Sequence, residues 1–317
     1  PSIFRLGRRI VPRRLMAVLV AVLFCGLPLG GFVCGVLSSA MVPVWGWQSV
    51  FYVGGVLPLV LSILLLMLLP ESVQFLSQRG ANPRKIEKLM APIAPGIAFA
   101  SVAARKGVSV KYLFTDGRAV GTILLWLPNF MNLLLMYVIV NWLPALLREA
   151  GMSISDGVAA TSLYSLGGIF GTFAEGFLIK FSGPYIILLT EFGLCGLLIA
   201  SMAMMADSWM LVMTLAFLLG CLVVGAQAGL NVLAAQFYPT FIRSTGVGWA
   251  LGVGRIGSIV GPLLAGMLLS KGWQPWQVLL AGAVPALLAL GSVLLGRCVP
   301  GSETPYAPVS DSRVSSA

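Results

Sequence analysis

The chain consists of long apolar stretches separated by short segments that hold most of its charged residues. No charged residue lies between Arg14 and Glu71, which leaves room for two membrane-spanning helices, and VPVWGWQ (42–48) supplies a Pro/Gly break with interfacial tryptophans between them. Six later apolar runs are each long enough to cross about 30 Å of hydrocarbon. The pattern therefore predicts eight transmembrane helices, two in 15–69 and six at 119–147, 156–180, 184–206, 209–237, 244–270 and 274–297.

Composition supports a membrane protein. Hydrophobic residues make up 58% of the chain and charged residues 9%, with a mean hydropathy of +0.97. Soluble domains are roughly 25% charged, so a water-soluble protein is excluded. The five cysteines lie far apart without a CxxC pair, and we interpret them as packing residues.

The distribution of Lys and Arg predicts the orientation in the membrane. The basic arm 1–14 and the loop 70–118 lie on one side, whereas the opposite loops carry only Arg148 and Lys271. By the positive-inside rule, both termini and the long loop are cytoplasmic. This topology accounts for the net charge of +10 beside a lipid bilayer, so no nucleic-acid partner is needed. We expect 298–317 to be a disordered cytoplasmic tail.

The first two spans resemble the last two. The segment that begins at Pro12 resembles the one that begins 227 residues later at Pro239, and Gly30 matches Gly257 at the same offset of 227. The motif GWQ occurs at 46–48 and again at 272–274. A six-helix unit at 119–297 then implies a first unit of six helices, of which 15–69 holds the last two. Because the chain also begins with Pro1, we expect an N-terminally truncated protein.

Several motifs carry a resemblance to a known family. They are LPESVQFL (69–76), LLWLPNFMNLLLMYVIVNWLPALLREAGMS (124–153) and GAQAGLNVLAAQFYPTFIRSTGVGWALGVGRIGSIVGP (225–262). Together with the two-unit plan, they resemble the aromatic acid:proton symporter family of the major facilitator superfamily. The resemblance implies an all-α major facilitator fold fragment and import of a hydroxybenzoate-type acid by proton symport, with alternating access between two helical halves. It also implies a multi-pass protein of the bacterial inner membrane, and we expect a monomer that needs no cofactor.

The chain departs from this family in two places. The acidic motif of the family's first helix falls in the region that we expect to be missing from the N-terminal half. The short loop motif of the superfamily, G-x-x-x-D-R-x-G, corresponds to GFLIKFSGP (176–184), where Lys180 and Phe181 replace the acidic and basic residues. The charge relay of that loop is therefore not expected here, although the turn glycine and proline remain.

One arginine lies deep in an apolar span. Arg255 is the only charged residue between Arg243 and Lys271, and a helical rise places it roughly 18 Å from Arg243, near mid-membrane. A guanidinium can bind a carboxylate through two parallel hydrogen bonds, which favours contact with an acidic substrate. The alternative is that Arg255 pairs with an acid or with backbone carbonyls and holds helices together. The neighbouring pairs Gly248/Gly252 and Gly257/Gly261 predict close helix contacts.

Two further spans carry polar and aromatic groups on one face. Amides buried in an apolar helix need partners or water, and aromatic rings can stack on a ring substrate. The candidates for substrate binding are Arg255, Asn129, Trp126, Tyr137, Gln227 and Asn231, with Asn132 at the margin of the face. Hydrogen bonds between helices are the alternative role for the amides.

Two acids lie within the spans. Glu191 and Glu175 are near the cytoplasmic ends of their helices, and a buried carboxyl group can carry a proton, which makes both candidates for proton coupling. The alternative is that each extends to the interface or pairs with Lys180.

No catalytic residue or metal site is predicted, since the chain has no His and no metalloprotease, nucleophile-elbow or phosphate-loop motif. The functional alternatives are a non-transporting remnant and a major facilitator transporter of another organic anion or a sugar.

Overall fold

The computed structural model describes residues 13–68, 109–204, 208–239 and 241–298. These residues form helices and no strand, as the apolar pattern predicts for a chain that must satisfy its backbone hydrogen bonds inside lipid. Most of the predicted arm 1–14, most of the loop 70–118 and all of the predicted tail 298–317 except Cys298 lie outside the described residues. The helices are α1 (Arg13–Trp45), α2 (Gln48–Leu68), α3 (Ala119–Glu149), α4 (Ile154–Met204), α5 (Trp209–Phe237), α6 (Arg243–Ser270), α7 (Pro275–Ala281) and α8 (Ala283–Arg297).

The chain divides into two compact units. One comprises 1–23 and 40–107, and the other comprises 24–39 and 108–317. The described part of the first unit contains the ends of α1 and the whole of α2, which Gly46 joins in a tight turn at φ 76°. The second unit contains the middle of α1 together with α3 to α8. The predicted boundary of the C-terminal half at 119 stays a prediction.

Helix α4 is two membrane crossings joined by a sharp turn. Its 51 residues would extend roughly 76 Å as one straight helix, far more than a bilayer requires. Gly183 interrupts it with φ 75° and ψ 160°, a backbone conformation that glycine tolerates, and Pro184 starts the second arm where its missing N–H costs nothing. With α4 counted as two arms, 154–182 and 184–204, the described helices match the eight predicted spans.

The last predicted span, 274–297, is divided into α7 and α8. Pro285 lacks the N–H that would bond to the carbonyl of Ala281, and the helix loosens at that point. Gly282 donates its N–H to the carbonyls of Leu279, at 2.9 Å, and of Val278, at 3.3 Å. These helix-type hydrogen bonds keep α7 and α8 on one continuous helical path. The two helices together still provide one apolar crossing, from Pro275 to Arg297.

Helices α3 and α6 run parallel in close contact through glycines. A methyl group on Gly257 would collide with the carbonyl oxygen of Phe130, and one on Gly261 would lie 2.5 Å from that of Leu134. The predicted close contact at the Gly257/Gly261 pair is thus confirmed.

The Gly248/Gly252 pair does not mediate the predicted close contact within the described residues. A Cβ at either position would meet nothing within 4 Å, and both glycines are exposed. The packed face of α6 instead passes through Gly246 and Gly254, which are buried. These positions are offset by two residues from the predicted pair, so among the described residues the first half of α6 packs through a different face.

Candidate functional site

The guanidinium of Arg255 contacts Tyr137 across the α3–α6 interface. Its Nη1 donates a hydrogen bond of 3.1 Å to the hydroxyl of Tyr137. Arg255 is exposed on the surface of the described helices, and among the described residues it forms no ion pair. The structural alternative required an acid or carbonyl partner, whereas the observed partner is a neutral phenol. Among the described residues, the guanidinium therefore retains N–H donors for another group.

A cavity of about 480 Å³ adjoins this pair, and Tyr137 forms part of its wall. Its volume lies within the range of small-molecule sites. Four helices of the second unit line it. The lining residues are Gly26, Pro28, Gly30, Gly31 and Cys34 on α1, Met136, Tyr137 and Val140 on α3, Tyr164 and Ser165 on α4, and Val224 on α5.

The predicted amides form a hydrogen-bonded network between α3 and α5. Gln227 donates to Asn129 Oδ1 at 3.2 Å and to Asn231 Oδ1 at 3.5 Å, and it accepts from Asn132 at 3.1 Å. Asn132 also donates to the Val223 carbonyl, and Asn129 to the Leu125 carbonyl. The structure thus brings these amides together, and those on Asn129 and Asn132 are fully buried. Asn231 is half-buried, and within the described part of the chain it joins the network through its Oδ1.

Trp126 belongs to a separate aromatic cluster. Its ring stacks on Trp249 with centroids 6.0 Å apart and meets Phe114 edge-on at 5.5 Å. Trp126 lies eleven residues before Tyr137, which is roughly 16 Å along α3. The structure therefore does not bring Trp126 to the Arg255–Tyr137 pair.

Glu175 and Glu191 face each other from the two arms of α4. Their side chains are 1% and 7% exposed. Glu191 Oε1 lies against Gly225 beside Gly171 of the first arm, and Glu175 Oε1 lies against Gly229 beside Leu188 of the second arm. Neither forms an ion pair within the described residues, and Lys180 is exposed with its Nζ 5.9 Å from the Phe181 ring centroid. The alternative that each acid extends to the interface or pairs with Lys180 is therefore not what the structure shows.

The sequence did not single out Tyr164 or the α1 wall of the cavity. Tyr164 is 1% exposed, and its hydroxyl has no hydrogen-bond partner within the described structure. A lone tyrosine in an apolar helix resembles an ordinary core residue, and its unpaired hydroxyl is visible only in three dimensions. In α1, the glycines at 26, 30 and 31 could have indicated the cavity wall. They have no side chain, so they leave room for a cavity but provide no group that could bind a ligand.

The apolar crossings, the cavity between helices and the two buried carboxyl groups are features of a multi-pass α-helical membrane protein. A family model described as Major Facilitator Superfamily matches residues 1–249 and, in a second alignment, residues 129–313. The chain therefore belongs to the Major Facilitator Superfamily, and the fold class and family predicted from the sequence are confirmed.

Similar proteins carry names that agree with the predicted resemblance. The 4-hydroxybenzoate transporter PcaK of Pseudomonas aeruginosa is 37% identical over 93% of this chain and 68% of its own length. The gallate transporter of Pseudomonas putida is 37% identical over 86% of this chain and 62% of its own length. The benzoate transport protein of Acinetobacter baylyi is 31% identical over 93% of this chain and 65% of its own length. All three are named as transport proteins rather than enzymes.

Proposed function

We propose that this protein imports an aromatic carboxylic acid of the hydroxybenzoate type by proton symport, with alternating access between two helical halves. The relatives are named for 4-hydroxybenzoate, gallate and benzoate. These substrates differ in their ring hydroxyls and share an aromatic ring with one carboxylate. The common chemistry therefore requires a cationic group at a cavity large enough for a ring.

The observation that carries the proposal is Arg255 beside the cavity-lining Tyr137, without an acidic partner among the described residues. A charge at this depth is costly unless a counter-charge or water compensates it. A substrate carboxylate would supply that counter-charge and could accept two parallel hydrogen bonds from the guanidinium. The hydroxyl of Tyr137 accepts from Arg255, so its own hydrogen is free to point toward the same carboxylate.

We assign recognition of ring hydroxyls to the amide network. Asn129 is hydrogen-bonded through both ends of its side chain, which suits it to hold Gln227 in place. The half-buried Asn231 is the member best able to turn its NH₂ group toward a ligand. Trp126 is too far along α3 to share one small substrate with Tyr137, so we propose that it stacks on the ring at a different stage of transport.

Charge balance during uptake calls for a co-transported cation, and we assign that role to protons. A monoanion that enters against a negative interior opposes about 2.3 kcal/mol per 100 mV for each charge, and a co-transported proton removes that cost. Glu191 and Glu175 are the candidates for carrying it. We further propose location in the bacterial inner membrane with both ends of this chain cytoplasmic, as the Lys and Arg distribution indicates, and a monomeric state.

Uptake assays test this function. The complete reading frame that encodes this chain would be expressed in cells that lack aromatic acid importers, and accumulation of labelled 4-hydroxybenzoate would be measured. We expect uptake that unlabelled benzoates compete for and that a protonophore abolishes. Competition by sugars or other organic anions, with benzoates inactive, would contradict the substrate class. Uptake that resists the protonophore would contradict proton symport while leaving the substrate intact.

A further inference from the structure

The two buried acids lie at equal distance from the turn of α4. Glu175 precedes Gly183 by eight residues and Glu191 follows it by eight, so each lies roughly 12 Å along its arm from the turn. Because the arms run in opposite directions, this symmetry places both carboxyl groups at the same depth. Both oxygens of Glu175 and Oε2 of Glu191 are buried without a hydrogen-bond partner.

No positive charge on the surrounding helices compensates the pair. Helix α5, which forms the main packing surface for α4, contains no charged residue, and neither does α7. Charged residues of α3 lie in its last turn, at Arg148 and Glu149, far from the turn at Gly183. Arg297 ends α8, where Gly296 lies near Tyr185 at the start of the second arm of α4. Within the described residues, the other ionisable groups that belong to α4 or face it are Asp156 in its first turn, Tyr164, Tyr185, Cys195, the exposed Lys180, and Cys221 of α5.

The surface that receives the carboxyl groups is formed by two glycines one turn apart on α5. The Cβ of an alanine at Gly225 would lie 3.0 Å from Oε1 of Glu191. At Gly229 the Cβ would collide with Oε1 of Glu175. Both carboxyl groups thus occupy space that any larger residue would fill, while the amide of Gln227 projects from a different side of the same helix toward α3.

Two carboxyl groups this close cannot both be charged at low cost. Each ionised carboxylate would be desolvated, and the two like charges would repel each other. A single proton held between them leaves one net charge and supplies an O–H donor for oxygens that otherwise have none. Aspartic protease dyads illustrate this behaviour of paired carboxyls.

We propose that Glu175 and Glu191 form one proton-binding site, in which the two carboxyl groups share a proton against the Gly225/Gly229 surface of α5. The site is separate from the Arg255–Tyr137 pair. Its part in transport rests on the proposed function, whereas its ability to bind a proton does not. Cys195 lies one turn after Glu191 and Tyr164 is close to Cys195, so a line of ionisable groups connects the site with the cavity wall.

Infrared spectroscopy can detect the proton without any substrate. The protein produced from its complete reading frame would be reconstituted in lipid, and the C=O stretch of protonated carboxyl groups would be followed as the pH is varied. At neutral pH we expect a protonated carboxyl band in the wild type that disappears in the E175Q/E191Q double variant. The Glu149→Gln variant makes the same chemical change at an exposed position and should retain the band.

The single variants test sharing. An interacting pair releases its protons in two separated steps. Glu175→Gln and Glu191→Gln should each leave one step, and its midpoint should differ from both wild-type midpoints by at least about one pH unit.

Absence of the band in the wild type at neutral pH, or its persistence in the double variant, would overturn the proposal. Independent titration of the two groups would overturn sharing. Loss of the band on adding sodium at constant pH would assign the site to a metal cation instead. Uptake assays would separately show whether transport fails.

Discussion

The guanidinium of Arg255 and the hydroxyl of Tyr137 are joined by a 3.1 Å hydrogen bond between two parallel helices. The glycines of α6 make this possible, since Gly254 and Gly257 bring its backbone against α3 on either side of Arg255. The charge is thereby held beside a cavity wall rather than buried against an acid. Substitutions at these two residues distinguish substrate binding from a purely structural contact.

Arg255→Lys should preserve the charge and lose the planar fork. If the guanidinium binds a carboxylate through two hydrogen bonds, the affinity for 4-hydroxybenzoate should fall by about 1–3 kcal/mol. Arg255→Ala should weaken binding further while the protein still inserts, because removing a mid-membrane charge makes α6 more apolar. Substrate binding and folded protein per cell would be measured on the same preparations.

The matched control for Arg255 is Arg148, an exposed arginine in the last turn of α3. Arg148→Lys and Arg148→Ala should leave substrate affinity unchanged. Normal affinity in a well-folded Arg255→Ala protein would rule out contact with the substrate. Poor folding with normal affinity would instead support the structural role.

Tyr137→Phe removes a hydroxyl from the cavity wall and the acceptor of Arg255. We expect substrate affinity to fall by about 1–2 kcal/mol, less than for Arg255→Ala, because the charge remains but is less well held. The Tyr112→Phe variant, at an exposed position near the start of α3, is the control. Measured binding equal to that of the wild type would show that Tyr137 neither contacts nor positions a substrate group.

Turn chemistry and span length could be predicted from the sequence, whereas the packed face of a helix could not. The turn at Gly183–Pro184 follows from residues that restrict the backbone, and the amides of α3 and α5 had to find partners because lipid offers none. The two faces of α6 are different. In lipid, a packed face is no more apolar than an exposed one, so Gly248/Gly252 looked as suitable for packing as Gly257/Gly261.

The carboxyl pair shows a second limit. The sequence gives the equal spacing of Glu175 and Glu191 from Gly183, yet equal depth alone does not make two side chains meet. Whether they face each other depends on how each arm is rotated against α5, which the surrounding apolar residues leave undetermined. The Gly225/Gly229 surface fixes that rotation, and only the packed structure reveals it.

The contrast between the two glycine pairs of α6 predicts different effects on folding. Gly257→Ala places a methyl group against the Phe130 carbonyl and should destabilise the protein by about 1–3 kcal/mol or separate α3 from α6. Gly252→Ala points into open space and should be nearly neutral. Thermal stability in detergent would be compared. Equal stability of the two variants would contradict the observed contact.

Orientation in the membrane is testable with single cysteines in a cysteine-free background. Lys271→Cys and Ala150→Cys lie in the loops predicted to face the periplasm, and Lys111→Cys precedes α3 on the predicted cytoplasmic side; all three positions are exposed. In intact cells whose outer membrane is permeable to the reagent, an impermeant maleimide should label the first two and spare the third. Labelling of Lys111→Cys before disruption of the inner membrane would reverse the topology.

Gly229→Ala tests the proton site without changing either acid. The new methyl group would occupy the position of Glu175 Oε1, so that carboxyl group must move away from Glu191 or toward another partner. We expect the two titration steps of the infrared carboxyl band to move closer together in pH, since the interaction between the two groups weakens with distance. Gly193→Ala lies on the second arm of α4, and a Cβ added there would meet nothing within 4 Å. It is the control and should keep the wild-type titration.

If the Gly229→Ala protein folds and titrates as the wild type does, the glycine surface does not hold the carboxyl groups together. If it fails to fold, Gly225→Ala offers a milder test, because the 3.0 Å approach to Glu191 Oε1 calls for a smaller displacement.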